Sequence, residues 1–415
     1  MFRILVVLML AISMLPSTSS ALVRNEHLGD INITMEGATR TKLAYMESLV
    51  KRCLEKSGDK AWETVDSATL QQCITNTRHF AKVEVRVNRP EIAVTIKERW
   101  TLLPIPNMYA SNGKRSAGVF VYDSNFLGYG KVVGAGGAVS TEGNTFSLMY
   151  FDPAVQFTNA TFNIMASRSN TETDAYDKTM ILYGYKKTEA GFTVSPGYKV
   201  TPFITISLSA NYSDKNYSEL EAFAVPRDYT YWGLGARAAY RNADYKLFYN
   251  DGFTASLGWN KQMHRTDQEQ RIAHASASLE WDLTMFGKHA LQLGLRGSTQ
   301  SSTVTEKDVS TYGRGKGYRG IQSQGLWSRQ IAAVSADYQV PVAKWGHGTV
   351  TVAPFLDYGT YKPFFAGTGN NYTAYGVGAY YYINLISLPG IGLTAGMNDD
   401  FMGSFVAFQV GMGFN

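Results

Sequence analysis

The chain has 415 residues, of which 45% are hydrophobic, 13% aromatic and 18% charged, and its formal net charge is +5. This weak positive charge, without a basic stripe, argues against nucleic acid as a partner. Beyond the first residues no run of 18 apolar residues occurs, which excludes a transmembrane helix, whereas 26 Tyr, 21 Phe and 39 Gly are typical of a secreted β protein or an outer-membrane barrel.

The first 21 residues have the pattern of a secretory signal. Arg3 supplies a positive charge, residues 4–15 form an apolar run, and Ser-Ser-Ala at 19–21 is a small-residue cleavage site. The apolar run is too short to span a bilayer. We therefore expect residues 1–21 to be removed and the mature chain to start at residue 22, outside the cytoplasm.

Residues 22–100 predict a small α+β domain. Short alternating apolar runs at 31–35, 83–87 and 92–96 predict three strands. Apolar residues at helical spacing over 43–54 and 67–78 predict two helices between the first strand and the second. The order β-α-α-β-β over this length indicates one compact module.

The only two cysteines, Cys53 and Cys73, fall on the two predicted helices. In an oxidising compartment such a pair can form a disulfide. Closing a loop of about 20 residues would stabilise the fold by about 3 kcal/mol in the chain-entropy model. The alternative is a pair of buried thiols.

From Thr101 to the C-terminus the chain consists of short alternating segments divided by polar turns. Residues 101–415 contain about sixteen such segments, or about 20 residues for each strand with its connection, which suits membrane-spanning strands and their loops. Their apolar faces carry Val, Leu, Phe, Tyr and Trp, as in residues 146–150, 204–210 and 253–259. Because a water-soluble sandwich would have polar outer faces, the predicted fold is an antiparallel transmembrane β-barrel preceded by the α+β module.

The first predicted barrel strand, Thr101 to Tyr109, contains Pro104 and Pro106. Residues two apart direct their N–H groups to the same edge of a strand, so one edge lacks two hydrogen-bond donors. If that edge faces the last strand, the barrel seam is weak there and could act as a lateral gate for a client strand. The alternative is that both prolines belong to the linker and the first strand starts later.

A glycine-rich loop at residues 313–320 contains Arg319 and precedes two strictly alternating segments, 331–340 and 350–359. Asp337 and Asp357 lie on the less apolar face of these two predicted strands. A guanidinium group inside a barrel needs charged acceptors, because an unpaired buried charge is costly. The pattern predicts that the loop folds inward and that Arg319 meets both aspartates. The alternative is a surface arginine in a flexible loop.

The last predicted strand alternates up to Phe414, with Phe408 on the same face, and ends at Asn415. A C-terminal strand that ends in an aromatic residue resembles the signal by which bacterial barrel proteins are recognised for assembly. In this chain the aromatic residue is the penultimate one. We include Phe408 and Phe414 with the two prolines as candidate gate residues.

Five stretches together resemble the outer-membrane protein 85 superfamily, the BamA/TamA/FhaC-like proteins of bacterial surface antigen type. Residues 31–37 and 80–85 resemble a POTRA domain. Asp123-Ser-Asn-Phe-Leu-Gly-Tyr-Gly130 is similar to the D-x-N-x-x-G-x-G motif of the second barrel strand. Tyr318-Arg319-Gly320-Ile321 resembles the VRGF/Y loop motif, and Phe355-Leu-Asp357-Tyr-Gly359 resembles the F-x-D-x-G strand motif. Tyr318 replaces the usual valine and Ile321 the usual aromatic residue.

The resemblance implies a protein of the bacterial outer membrane, with its single POTRA domain in the periplasm. Its implied function is the insertion of proteins into that membrane or the translocation of polypeptides across it. The POTRA domain would bind an unfolded or secreted client, with periplasmic chaperones or lipoproteins as candidate partners. Tyr318, Arg319, Gly320, Asp337, Phe355, Asp357 and Gly359 would hold the loop in the lumen. The alternative functions are a passive pore and a surface antigen on the same scaffold.

Catalysis has little support in the sequence. The six histidines form no metal-ligand pattern, so we expect neither a metal nor another cofactor. The glycines between Gly128 and Gly136 lack the Lys-Ser ending and the following helix of a phosphate-binding loop. Glu280 and Asp282 share one strand face, which in a barrel lumen most often meets water.

Overall fold

A computed structural model describes residues 31–57, 65–111, 114–177, 180–219, 225–301, 304–305, 309–312, 315–321, 326–364, 369–386, 390–400 and 403–410. The predicted signal at residues 1–21 and the gate candidate Phe414 lie outside these ranges. The side chain of Phe408 does as well, although its backbone is part of a described strand.

The N-terminal module has the predicted β-α-α-β-β order, and its elements are β1 (Asn32–Glu36), α1 (Leu43–Ser57), α2 (Ser67–Thr75), β2 (Phe80–Asn88) and β3 (Glu91–Glu98). The sheet order is β1-β3-β2, with β1 parallel and β2 antiparallel to β3. The two helices bury their apolar faces against this sheet, around the fully buried Met46, Leu70 and Ile92. This arrangement matches a POTRA domain.

Local chemistry explains where α2 begins and how it is held. Asp66 caps the helix, because its carboxylate accepts a hydrogen bond from the Thr69 N–H at 2.7 Å. Cys53 of α1 and Cys73 of α2 form a disulfide with a Cα–Cα distance of 5.8 Å. The bridge ties the two helices to each other across the module.

The rest of the chain forms a closed antiparallel barrel. Its strands in chain order are β4 (Leu102–Ser111), β5 (Lys114–Phe126), β6 (Lys131–Ser140), β7 (Gly143–Asp152), β8 (Ala160–Asp177), β9 (Met180–Lys199), β10 (Ile204–Ser218), β11 (Tyr229–Lys246), β12 (Tyr249–Arg265), β13 (Ala273–Met285), β14 (His289–Gln300), β15 (Thr311–Tyr312), β16 (Leu326–Trp345), β17 (Gly348–Pro363), β18 (Asn370–Ile383), β19 (Ile391–Asn398) and β20 (Gly403–Val410). Because β15 is only two residues long and pairs with β16, sixteen long strands of the described residues form the wall. The predicted fold class is confirmed.

The period-two pattern places apolar side chains outside the barrel and polar ones inside. On β16 and β17 the exposed Val334, Leu356 and Tyr358 alternate with the buried Asp337 and Asp357. The same alternation exposes Leu208 on β10 and Leu257 on β12 by more than 60%. Such exposure would be unfavourable in water, and it forms the apolar outer band of a membrane barrel. Among the described residues, neither α-helix has the length and apolarity to cross a bilayer.

The barrel has two distinct ends. The module lies at the end where β4 begins and where the turn β5–β6 lies, which we name the module end. The hairpin β19–β20 turns at the opposite end, which we name the far end. The seam is the contact between the first barrel strand, β4, and the last, β20.

Candidate functional site

The connection between β14 and β16 folds into the barrel and places Arg319 beside two carboxylates. The guanidinium donates to both oxygens of Asp337, at 2.7 and 2.8 Å. It also donates to both oxygens of Asp357, at 3.0 Å from Nε and 2.8 Å from Nη2. We name this group the loop lock. It satisfies one cation with two bidentate acceptors, which is the strongest geometry available to arginine.

Strand register explains why the two carboxylates meet. Asp337 of β16 is paired with Phe355 of β17, and Asp357 lies two residues further along the same luminal face. Side chains in this diagonal relation are within reach of one another. All three charged groups are buried, with exposures of 8% for Arg319, 4% for Asp337 and 0% for Asp357. The Phe355 ring lies beneath the guanidinium, 3.9 Å from its carbon, and adds a cation–π contact.

The lock also holds the backbone of the loop. Asp357 accepts hydrogen bonds from the backbone N–H groups of Gly317, at 3.1 Å, and Arg319, at 3.2 Å. Gly317 and Gly320 have φ values of +81° and +77°, which L side chains rarely adopt. The turn Gly317–Gly320 is therefore wound around one carboxylate, and its shape requires glycine at these two positions.

Three further contacts of this turn were not anticipated from the sequence. The hydroxyl of the buried Tyr372 on β18 donates to the Gly317 carbonyl. The amide nitrogen of Asn398, at the end of β19, donates to the Arg319 carbonyl at 2.9 Å. The Phe405 ring of β20 packs against Gly320, where an added Cβ would lie 2.8 Å from the ring. No sequence signal marks these residues, because their role depends on where the loop is seated.

The remaining predicted lock residues lie around this turn. Tyr318 packs against a buried cluster that contains Ile321 and Tyr372. Gly359 faces the Tyr372 ring, and a Cβ at this position would lie 2.3 Å from it. On the other side of the turn, Lys316 reaches Glu280 at 3.4 Å and Gln292 at 3.0 Å.

An aromatic cluster lies in the lumen towards the far end. Rings from opposite walls meet there: the centroids of Tyr185 on β9 and Trp327 on β16 are 5.7 Å apart, although five strands, β10 to β14, separate β9 from β16 along the wall. Tyr217, Tyr229 and other buried apolar residues complete the cluster. Val304 and Val309 of the inward loop pack against the same rings. The described residues of the loop therefore contact several strands of the barrel wall.

The seam has an asymmetric first strand. Both Pro104 and Pro106 lie within β4. Ser124 donates its N–H to the Thr101 carbonyl at 3.2 Å, one step before the paired residues Leu102 and Asp123. Bonded and non-bonded pairs alternate in an antiparallel ladder, so even-numbered residues of β4 direct their N–H positions towards β20. The two prolines therefore remove two donors from the edge that meets the last strand.

The D-x-N-x-x-G-x-G stretch forms a first contact between module and barrel. Arg40 of the module reaches Asp123 at 2.8 Å and Thr101 at 3.0 Å. Asn125 donates to the Thr41 hydroxyl at 3.0 Å. The turn glycines allow close approach, because a Cβ on Gly130 would lie 2.4 Å from the Tyr45 ring. The motif thus serves as a docking surface.

The second contact joins the end of α2 to the turn between β11 and β12. Asn76 donates to the Asp244 carboxylate and accepts from the Tyr245 N–H, both at 2.8 Å. The guanidinium groups of Arg78 and Arg99 lie 4.7 and 5.4 Å from the centre of the Tyr245 ring. The module is therefore anchored to separate turns of the barrel rim, and Lys56 of α1 adds a cation–π contact with Phe203 in the turn between β9 and β10, 5.3 Å from the ring centre.

Within the described part of the chain, no group of His, Cys, Asp and Glu side chains has the arrangement of a metal site. Glu280, which shares a luminal strand face with Asp282, is an acceptor for Lys316. Glu280 therefore contacts the inward loop through Lys316. This arrangement of side chains can hold the inward loop in the lumen and the N-terminal module against the barrel rim.

Comparison with known proteins agrees with this architecture. A family model described as the Omp85 superfamily domain matches residues 125–396. BamA from Haemophilus ducreyi lacking POTRA domains 1–3 superposes with a TM-score of 0.56 at 14% identity, over 92% of this chain and 84% of that one. A search of curated proteins gives no match.

Two CdiB structures share the fold as well. CdiB from Acinetobacter baumannii has a TM-score of 0.56 at 12% identity, over 92% of this chain and 74% of that one. CdiB from Escherichia coli has a TM-score of 0.57 at 11% identity, over 92% and 76% of the two chains. At these identities the superpositions establish the fold, and the family follows from the domain match, which confirms the resemblance seen in the sequence. The chain is a member of the Omp85 superfamily.

Proposed function

We propose that this protein inserts polypeptides into the outer membrane or moves them across it. In this proposal residues 1–21 are a secretion signal, residues 22–100 are a POTRA domain in the periplasm and residues 101–415 are the membrane barrel. The module receives an unfolded or secreted client and passes it to the barrel, with the loop lock holding the resting state. Family membership supports this general role.

The observation that carries the proposal is the seam. β4 lacks two donors on the edge that faces β20, because of Pro104 and Pro106. The edge of β20 that faces the two prolines receives no hydrogen bond from them. A strand edge with unpaired backbone groups is a template for pairing with another strand. A client strand could pair there without breaking a full ladder. The lumen offers a less direct route, because the inward loop and the far-end aromatic cluster occupy it.

The module has a second place for strand addition. In the order β1-β3-β2, β2 lies at an edge of the sheet, and its Lys82 and Arg86 are exposed. Main-chain pairing at such an edge binds extended peptides with little dependence on their sequence. This suits a protein that handles many unfolded clients.

Site-specific photocrosslinking in cells tests the route. A photoreactive residue at Lys82 or Arg86 should give adducts with unfolded clients, whereas one at Lys51, on the exposed surface of α1, should not. On the barrel, a probe at Val406 of β20 should capture clients, whereas one at Leu234 of β11 should not, although both side chains face outward. Adducts that are equally frequent at test and control positions would contradict the proposal.

A further inference from the structure

The turn Gly317–Gly320 contacts the last hairpin, β19–β20, as closely as it contacts β16 and β17. Asn398 is 1% exposed and donates to the Arg319 carbonyl at 2.9 Å. A Cβ on Gly320 would lie 2.7 Å from that of Asn398 and 2.8 Å from the Phe405 ring. Phe405 in turn lies beside Phe355 of the lock, with ring centroids 6.3 Å apart. The hairpin is thus packed directly on the seated turn.

The far-end tip of the hairpin is tied to the same group of residues. Asp400 donates its N–H to the Asn398 side chain at 3.1 Å and accepts from the Tyr361 hydroxyl at 2.5 Å. Tyr361 lies against Tyr372, with ring centroids 6.1 Å apart, and Tyr372 donates to the turn. These contacts are continuous. The turn contacts Tyr372 of β18, Tyr372 contacts Tyr361 of β17, and Tyr361 contacts Asp400 at the hairpin tip. Asp400 in turn contacts Asn398, which donates to the Arg319 carbonyl.

The position of the hairpin explains why such support matters. On one side β19 pairs with β18 over eight residues, from Ala374↔Asn398 to Tyr381↔Ile391. On the other side β20 meets β4, whose edge lacks the donors of Pro104 and Pro106. Contacts on the luminal face of the hairpin therefore add to the support that β18 gives it, and the seated turn supplies them through Asn398 and Phe405.

We propose that Asn398 and Phe405 are positioning residues that couple the loop lock to the seam, so that β19–β20 separates from β4 only when the turn Gly317–Gly320 leaves its seat. Coupling of two equilibria is reciprocal, so a strand that draws the hairpin from β4 also weakens the seat of the turn. The value of this coupling for client handling rests on the proposed function. The coupling itself is a property of the barrel and can be measured without any client.

Hydrogen exchange of the full chain in a lipid nanodisc tests the proposal. Asn398→Ala should accelerate backbone exchange in β20 and β4 by about tenfold, the factor expected from loss of one buried hydrogen bond. Arg319→Ala, which removes four side-chain hydrogen bonds, should accelerate it by at least as much. Exchange in β9 to β12, on the opposite wall, should stay unchanged. The double variant should exchange no faster than Arg319→Ala, because both changes release the same contact.

Lipid-facing neighbours supply matched controls. Met397→Ala and Val406→Ala alter the residues next to Asn398 and Phe405 on the same two strands, where the side chains point outward. They should leave exchange at the seam unchanged. Phe405→Leu is a milder variant that keeps an apolar side chain, and it should also accelerate exchange of β20 if Asn398→Ala does not fold.

Two results would overturn the inference. One is that backbone exchange at the seam is as slow in Asn398→Ala and Phe405→Leu as it is in the control variants. The other is independent, additive effects of Asn398→Ala and Arg319→Ala. A coupled seam together with a lack of client adducts at Val406 would instead contradict the proposed function and leave the coupling intact.

Discussion

At the scale of single residues, the loop lock depends on one guanidinium and two carboxylates that are all buried. Arg319→Ala leaves Asp337 and Asp357 without their cation, and removing one partner of a buried pair costs about 3–5 kcal/mol. We expect a lower thermal midpoint and a smaller folded fraction in a heat-modifiability gel. Arg319→Lys should be intermediate, because an ammonium group cannot make two bidentate pairs.

Arg115 supplies the control for this prediction. It lies on β5 and is exposed, so Arg115→Ala removes the same charge without touching a buried carboxylate. An equal loss of folded barrel in Arg115→Ala and Arg319→Ala would show that charge alone matters and would contradict the role of the lock.

Gly359 is the residue of the F-x-D-x-G motif whose role is purely steric. A Cβ there would lie 2.3 Å from the ring of Tyr372, which is fully buried and would have to shift away from its hydrogen bond with the Gly317 carbonyl. We expect Gly359→Ala to destabilise the barrel by about 1–3 kcal/mol through overpacking. In Gly346→Ala the new Cβ would have nothing within 4 Å, so this variant should unfold at the wild-type denaturant concentration. Equal midpoints for the two variants would contradict this account of Gly359.

At the scale of elements, the disulfide links the helices that carry two docking contacts of the module. α1 begins beside the contact with the turn β5–β6, and α2 ends at the contact with the turn β11–β12. Replacing Cys53 and Cys73 by Ser should lower the stability of the module by about 3 kcal/mol in the chain-entropy model. Limited proteolysis should then cut the module sooner, while heat-modifiability of the barrel stays unchanged.

The same effect should follow from a reductant in the wild-type chain. In the double Ser variant a reductant should change nothing. Equal protease resistance of the reduced and oxidised chains would show that the bridge does not stabilise the module.

His79 makes the stability of the module dependent on pH. The imidazole is buried, with Tyr45 as a hydrogen-bond partner at 3.2 Å. Burial lowers the pKa of His79 from 6.5 to about 4, against the opposing effects of a backbone hydrogen bond with Ser124 and of the Asp123 and Glu98 charges, while Arg99 lowers it further. The folded module binds a proton on His79 less tightly than the unfolded chain does. The contribution of neutral His79 to the stability of the module is therefore fully present above pH 6.5, and about 3 kcal/mol is lost as the pH falls to 4.

Denaturant unfolding of the module in the full chain, followed from pH 7.5 to pH 4.5, checks this dependence. The midpoint should fall steadily below pH 6.5 in the wild type. In His79→Gln the slope should be much smaller, because the side chain no longer titrates. A slope unchanged by His79→Gln would assign the pH dependence to other groups.

At the scale of the whole molecule, the contacts made inside the lumen favour a regulated conduit over a passive pore. The inward loop is held at Asp337 and Asp357, and the far-end aromatic cluster joins β9 to β16. We expect small, flickering conductance in planar bilayers. Arg319→Ala combined with Trp327→Ala should raise it, because both obstructions are weakened. Large and steady conductance of the wild-type protein would favour the passive pore.

The fold was predictable from the sequence because a strand in a membrane barrel alternates between lipid and lumen. This constraint is local, so each segment carries its own signal, as residues 331–340 and 350–359 do. The disulfide was open to prediction for a similar reason, since the chain contains only two cysteines and both fall on helices of one module. The docking role of Asp123 and Asn125 was not predictable from the sequence, because it depends on which surface of the barrel the module contacts.

The sequence alone therefore determined the fold class of the protein and the inward face that carries Asp337 and Asp357. It could do so because alternation and helical spacing are properties of neighbouring residues. Only the tertiary structure decided that Tyr372, Asn398 and Phe405 receive the turn, and that the edge lacking two donors faces β20. These facts depend on barrel closure and on the path of an inward loop, which bring together residues far apart in the chain.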